Sequence, residues 1–92
     1  MPYSVYAIYN SLSKKIYIGQ TKDLIKRLSL HNSKQFSHGY TARFHGEWQL
    51  IYSETAITRN DALQREKQLK SFRGREFIKT HIPTFRRLAD QR

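Results

Sequence analysis

Two closely spaced β-prone runs at the start of the chain constrain its fold most. Tyr3 to Tyr9 is rich in β-branched and aromatic residues, and Lys15 to Gly19 repeats that character. Asn10-Ser11-Leu12-Ser13 between them reads as a turn, so the chain opens with a β-hairpin. Register decides which side chains meet. A four-residue turn at 10–13 sets Tyr6 opposite Tyr17 on one face, and a slip of one residue sends them to opposite faces. The first arrangement is the expectation.

The rest of the chain alternates helix and strand. Thr21-Lys22-Asp23 offers a helix start, with Asp23 or Thr21 as the cap. Leu24, Ile25 and Leu28 supply an apolar edge, so a helix is expected from about Leu24 to Asn32. Arg27 and His31, four apart, share a face of it. Ser33 to Glu47 holds two glycines and mixed polar residues, and reads as a long, partly irregular loop of a kind that is often functional. Trp48 to Glu54 is a third strand, with Leu50 and Tyr52 alternating with Gln49 and Ile51. Thr58 and Asp61 form a capping pair for a helix running to about Ser71. Gly74 reads as a break, and Arg75 to Thr80 as a short further helix closed by Pro83. The order is β-β-α-β-α-α. That is an α+β domain, a small, three-stranded, mostly antiparallel sheet flanked by helices. The domain is expected to span residues 1–82, followed by a basic tail at 83–92.

Ninety-two residues make one small domain. No run approaches the ~18 apolar residues of a membrane span, and the first residues do not read as a signal peptide. The absence of cysteine excludes disulfides and Cys-based zinc sites. The expectation is a cytoplasmic protein. Charge narrows the partners. Seventeen Lys and Arg against seven Asp and Glu give a formal +10, which attracts polyanions, a phosphate backbone first among them. From Arg65 to Arg92, nine of 28 residues are basic and three acidic. Such a face gives affinity and salt dependence rather than sequence specificity.

One carboxylate stands out. Ala62, Glu66, Leu69 and Arg73 step by four, three and four, so they line one helix stripe. Ala62 and Leu69 should face the sheet, which sets Glu66 at or near the core side. A buried carboxylate needs a pairing cation, hydrogen bonds or a metal. The plain alternative is a surface glutamate paired with Lys70 at i,i+4. Arg27 can clamp phosphate oxygens bidentately, His31 can orient or shuttle a proton, and Tyr6 and Tyr17 are either strand aromatics or proton-transfer groups. A phenol is a poor base unless cations lower its pKa. Lys15, Arg27 and a metal ion are the candidates for that task. Other chemistries fit worse: the chain has no GxxxxGK[ST] loop, no HExxH and no GxSxG.

Ser4-Val5-Tyr6, Tyr17-Ile18-Gly19, Arg27, His31, Glu66 and Trp48-Gln49-Leu50-Ile51-Tyr52 occur in an order that resembles the GIY-YIG nuclease superfamily, in particular its small stand-alone members. The resemblance covers roughly Tyr3 to Lys79. It is similar in kind to the catalytic domains of excision-repair and homing endonucleases. Ser4 stands where the family's first glycine is usual, and no asparagine follows Asn60 to match one that larger members carry. The resemblance implies metal-dependent hydrolysis of a DNA phosphodiester, in repair or recombination. Tyr6, Tyr17, Arg27, His31 and Glu66 are then the catalytic residues. Glu66 holds Mg2+ or Mn2+, Tyr6 acts as base with Tyr17 assisting, and Gly19 serves the backbone. Lys15, Lys22, Lys26, Tyr40, Arg43, Lys67, Lys70, Arg73 and Arg75 are the candidate contacts to nucleic acid. Phe36, Tyr40, Arg43 and Phe44 in the long loop either stack unpaired bases, which favours single-stranded or distorted DNA, or seal the edge of the core. No membrane and no small-molecule cofactor is expected. The rival readings are a non-catalytic DNA-binding module and an RNA-binding one on the same scaffold.

Overall fold

The computed structural model describes residues 2–33 and 40–82. Phe36, the side chain of Tyr40 and the basic tail at 83–92 lie outside the described residues. The elements are β1 (Tyr3–Asn10), β2 (Lys15–Thr21), α1 (Leu24–Ser33), a 3₁₀ turn (Tyr40–Arg43), β3 (Trp48–Ala56), α2 (Arg59–Lys70) and α3 (Phe72–Lys79). The sheet is antiparallel throughout, in the order β2-β1-β3. The protein is therefore the α+β domain expected, with β1 as its central strand.

The hairpin register differs from the expected one. Asn10 pairs with Lys15, so the loop is 11–14 rather than 10–13. Tyr6 consequently lies opposite Gly19, and Ile8 opposite Tyr17. The shift is two residues, so Tyr6 and Tyr17 keep a common face. The buried Asn10 side chain sets this loop. Its Oδ1 accepts from the backbone N–H of Leu12 at 3.0 Å and of Ser13 at 3.1 Å, while its Nδ2 donates to the His45 carbonyl at 2.8 Å. Lys14 closes the loop with φ 58°, a left-handed conformation uncommon for a lysine.

The two faces of the sheet carry separate apolar clusters. Val5, Ala7 and Ile18 pack with Ala62 and Leu69 of α2 and Ile78 of α3. Tyr6, Ile8 and Trp48 form the other cluster, joined by Tyr17, Phe44 and by Leu24 and Leu28 of α1. Ile25 takes no part: it is 85 % exposed, because it follows Leu24 by only one residue and so points off the buried stripe. Phe44 is half-buried, with its ring centroid 6.3 Å from that of Trp48, and it seals the core edge.

A bulge in β3 corrects the simple alternation expected there. Ala7 pairs with Tyr52 and Ile8 with Leu50, so Ile51 is the extra residue. Tyr52 therefore joins the cluster under α2 and α3, while Trp48 lies in the cluster under α1. Leu50 and Tyr52 do not share a face. Asn32 at the end of α1 fixes the start of β3, accepting from the Trp48 N–H at 2.6 Å and donating to its carbonyl at 3.0 Å.

The helices begin on side-chain caps. Asp23 Oδ1 accepts from the Lys26 N–H at 3.1 Å, and Thr58 Oγ1 from the Asp61 N–H at 3.1 Å. The break between α2 and α3 lies at Ser71, not Gly74: Ser71 ends one helix and its Oγ caps the next by accepting from the Gly74 N–H. Arg73 consequently belongs to α3 and not to the stripe of Ala62, Glu66 and Leu69. Gly74 lets α3 lie against the end of α2, since a Cβ there collides with the Gln68 carbonyl oxygen and the Leu69 backbone. Gly74→Ala should therefore cost about 1–3 kcal/mol and lower the thermal midpoint followed by circular dichroism.

Candidate functional site

Tyr6 sits on the central strand and is 1 % exposed. Its cross-strand neighbour Gly19 has no side chain, and the phenol occupies the space one would fill. A Cβ on Gly19 lies 2.9 Å from Tyr6 Oη and 3.0 Å from Tyr17 Cε2. This gap brings the two tyrosines together, with ring centroids 6.3 Å apart. Gly19 thus matters here through close approach of side chains, whereas the sequence suggested a backbone role.

His31 completes the group from α1. It is 3 % exposed, not a surface histidine. Its ring centroid lies 5.0 Å from that of Tyr17 and 6.0 Å from that of Tyr6. Its Nε2 is 2.9 Å from Tyr6 Oη, and its Nδ1 is 2.8 Å from Thr41 Oγ1. With the ring proton on Nδ1, the histidine donates to Thr41 and accepts from Tyr6; the other tautomer reverses both bonds. Thr41 is itself buried in the 3₁₀ turn, and its carbonyl accepts from Trp48 Nε1 at 3.1 Å. Sequence reasoning missed Thr41, because nothing in an irregular polar stretch marks one hydroxyl as the partner of a histidine ten residues back.

The electrostatics tie Arg27 and Glu66 to the same phenol. Burial pushes the Tyr6 pKa well above the ordinary tyrosine value, and the neighbouring Tyr17 adds to the rise. The Arg27 guanidinium pulls it down, and the Glu66 carboxylate pushes it up. Three groups, from β2, α1 and α2, therefore lie close enough to this phenol to act on its ionisation. Glu66 combines both arrangements open at the sequence level. Its side chain is 20 % exposed, on the buried side of α2, and Lys70 Nζ lies 2.7 Å from its Oε2. Among the described residues no cluster of three or more His, Asp or Glu forms a ready-made metal site. The donor chemistry fits a hard cation that keeps most of its water and takes one protein carboxylate. Lys70 must yield Oε2 for that.

The other predicted contacts are dispersed. Lys15 Nζ lies 5.9 Å from the Phe44 ring centroid and Lys22 Nζ 5.5 Å from that of Tyr3. Lys26, Arg43, Lys67 and Arg73 are exposed, and Tyr40 opens the 3₁₀ turn. Arg75 has a local task, since its Nε donates to the Lys70 carbonyl at 3.0 Å and closes the end of α2.

Fold and site together define a small α+β domain whose central strand delivers a buried tyrosine to a histidine, an arginine and a glutamate. The chain belongs to the GIY-YIG family: the GIY-YIG catalytic domain, a nuclease domain, matches residues 2–79. It is 36 % identical over 64 residues to a UPF0213 protein of Staphylococcus saprophyticus, covering 70 % of this chain and 76 % of that one. The solution NMR structure of a UPF0213 protein from Bacillus halodurans shares the fold, with a TM-score of 0.53, 22 % identity and 92 % of each chain covered.

Two measurements probe the site. Gly19→Ala should cost about 1–3 kcal/mol; part of that loss should disappear in a Tyr6→Phe background, where the nearest colliding atom is gone, in a double-mutant cycle of thermal or urea unfolding. The raised Tyr6 pKa also has a signed consequence. Its contribution to stability is fully present below the ordinary value of 10.0. Above it the unfolded chain loses the phenolic proton while the folded one keeps it, so stability falls as pH rises. Tyr6→Phe should show a shallower alkaline decline than wild type.

Proposed function

We propose that this protein is a metal-dependent endonuclease that hydrolyses DNA phosphodiester bonds. The observation that carries the proposal is the convergence on Tyr6 of a histidine hydrogen bond and of the Arg27 and Glu66 charges. These groups meet the needs of phosphodiester hydrolysis: proton removal from water, positive charge on the phosphate, and relief of charge on the leaving oxygen.

Arg27 holds the scissile phosphate through two N–H donors. Burial makes a free phenolate at Tyr6 unfavourable, so Tyr6 acts as a relay. It takes the proton of the attacking water as it passes its own to His31 Nε2. That transfer requires neutral His31 with its proton on Nδ1, donated to Thr41 Oγ1. The water oxygen forms the new bond to phosphorus, the bond to the leaving oxygen breaks, and that oxygen gains a proton from solvent. Tyr17 lies beside both rings and assists in orienting the water. Glu66 is the residue that would hold Mg2+ or Mn2+, an ion that stabilises charge on the phosphate and leaving oxygen.

A chain this small contacts few nucleotides, which suits single-stranded or distorted DNA with loose sequence preference, in repair or recombination. No helix among the described residues is long and apolar enough to cross a membrane, and the cysteine-free composition suits the cytoplasm.

The test is incubation of wild type and Glu66→Ala with end-labelled single-stranded, duplex and branched DNA, with and without Mg2+ or Mn2+. Wild type should nick only with the ion. Glu66→Ala should lose more than about a hundredfold in rate while keeping most DNA binding. Arg27→Lys should lose activity on a similar scale, because a point charge does not replace the guanidinium fork. The Lys70 pairing of Glu66 favours one alternative, a binding module that does not cut. Salt-sensitive binding without nicking, indifferent to metal, would establish it.

A further inference from the structure

Beside the tyrosine cluster lies a groove of about 620 Å³ lined by Tyr3, Lys22, Asp23, Lys26, Arg27 and Arg59, among others. Its four cations come from three separate stretches: the exit of β2, the first turns of α1, and the first residue of α2. The single carboxylate among them caps α1, where the positive helix end already balances part of its charge. Among the described residues Lys22, Lys26 and Arg59 form no ion pair. Gathering like charges in one concavity is unfavourable by itself and is offset when a polyanion enters. Arg27 belongs both to this groove and to the set of charges acting on Tyr6, so the groove and the candidate site share that residue.

We propose that this groove is the track for the nucleic-acid backbone flanking the scissile phosphate, with Lys22, Lys26 and Arg59 each holding a phosphate. The inference rests on the nuclease reading and deepens it, since it assigns the path of the substrate and adds Arg59 to the contacts. Lys22 and Lys26 already looked basic enough for such a role. Arg59 did not, because it follows the helix cap Thr58 directly and reads as an ordinary first-turn residue. Four cations against one carboxylate make backbone phosphates the main source of affinity there.

The experiment measures binding of a fluorescein-labelled oligonucleotide by anisotropy across a salt series, single-stranded and duplex, with wild type, Arg59→Ala, Arg59→Glu and the triple variant Lys22→Ala/Lys26→Ala/Arg59→Ala. Lys79→Ala serves as control, because it removes one charge from α3 outside the groove. Arg59→Glu should weaken binding about tenfold. The triple variant should flatten the slope of log K against log salt by about 2 to 3, and Lys79→Ala should leave it unchanged. With Mg2+ or Mn2+, Arg59→Glu should raise KM for nicking and leave kcat nearly intact. Wild-type binding and nicking with an unaltered slope in the triple variant would overturn the groove and spare the nuclease reading. A wild type that binds and does not nick, but loses slope in the triple variant, would sustain the groove and sink the nuclease. A wild type that binds no nucleic acid removes both.

Discussion

Tyr6 Oη and His31 Nε2, 2.9 Å apart, join the central strand to helix α1, and both residues are buried. A buried donor or acceptor without a partner costs about 1–3 kcal/mol, so the pair holds together, and several local features exist to let it form. Gly19 leaves the phenol room to reach across β2. Thr41 takes the far nitrogen of the ring, and its carbonyl is in turn held by Trp48. Asn32, the next residue after His31, bonds both backbone groups of Trp48. The histidine is thus fixed from both sides by the segment that enters β3, and the face of the sheet toward α1 is organised around it.

The same burial that secures the pair limits what Tyr6 can do. A phenol held away from water resists ionisation, and only Arg27 among the charges acting on it lowers its pKa. Glu66 opposes Arg27. Under the proposed reading a cation at the carboxylate would reverse that sign, because it would convert a negative charge into a positive one. Proton transfer through Tyr6 would then be coupled to occupancy at Glu66. This coupling gives a reason for a carboxylate to sit beside a tyrosine that it otherwise makes less acidic.

Much of this was legible in the sequence for physical reasons. Short strands of β-branched and aromatic residues, a glycine in β2 and side-chain caps at Asp23 and Thr58 are local signals, and they placed the element order and, Ile25 and Arg73 apart, the buried sides of α1 and α2. Non-local geometry was not legible. The hairpin register turned on Asn10, whose side chain makes the turn one residue later than its identity as a turn former suggested. The bulge at Ile51 depends on pairing with β1, which no pattern within β3 encodes. The end of α2 near Ser71 was legible, but the start of α3 at Phe72 rather than Arg75 was not, because the same serine caps the next helix while glycine drew attention as the usual breaker. Thr41 and Arg59 were invisible for the same reason: each owes its place to residues far away in the chain.

The distribution of charge connects the fold to the site. Glu54 pairs with Arg65, Glu66 with Lys70 and Glu76 with Lys79, while Asp23 caps α1 and Asp61 sits in the first turn of α2. Most carboxylates among the described residues are thus engaged in local structure, and cations such as Lys22, Lys26 and Arg59 form no ion pair there. Exposed pairs of this kind contribute little to stability, so the surplus is not there to hold the fold. Among the described residues it also leaves Glu66 as the lone acid acting on Tyr6, too few donors for a tight site. Under the proposed reading a divalent ion completes its shell with water and with phosphate oxygens that the groove delivers. Ion and substrate then stabilise each other's binding, and a chain with so few acids can assemble a metal centre only when a polyanion is already in place.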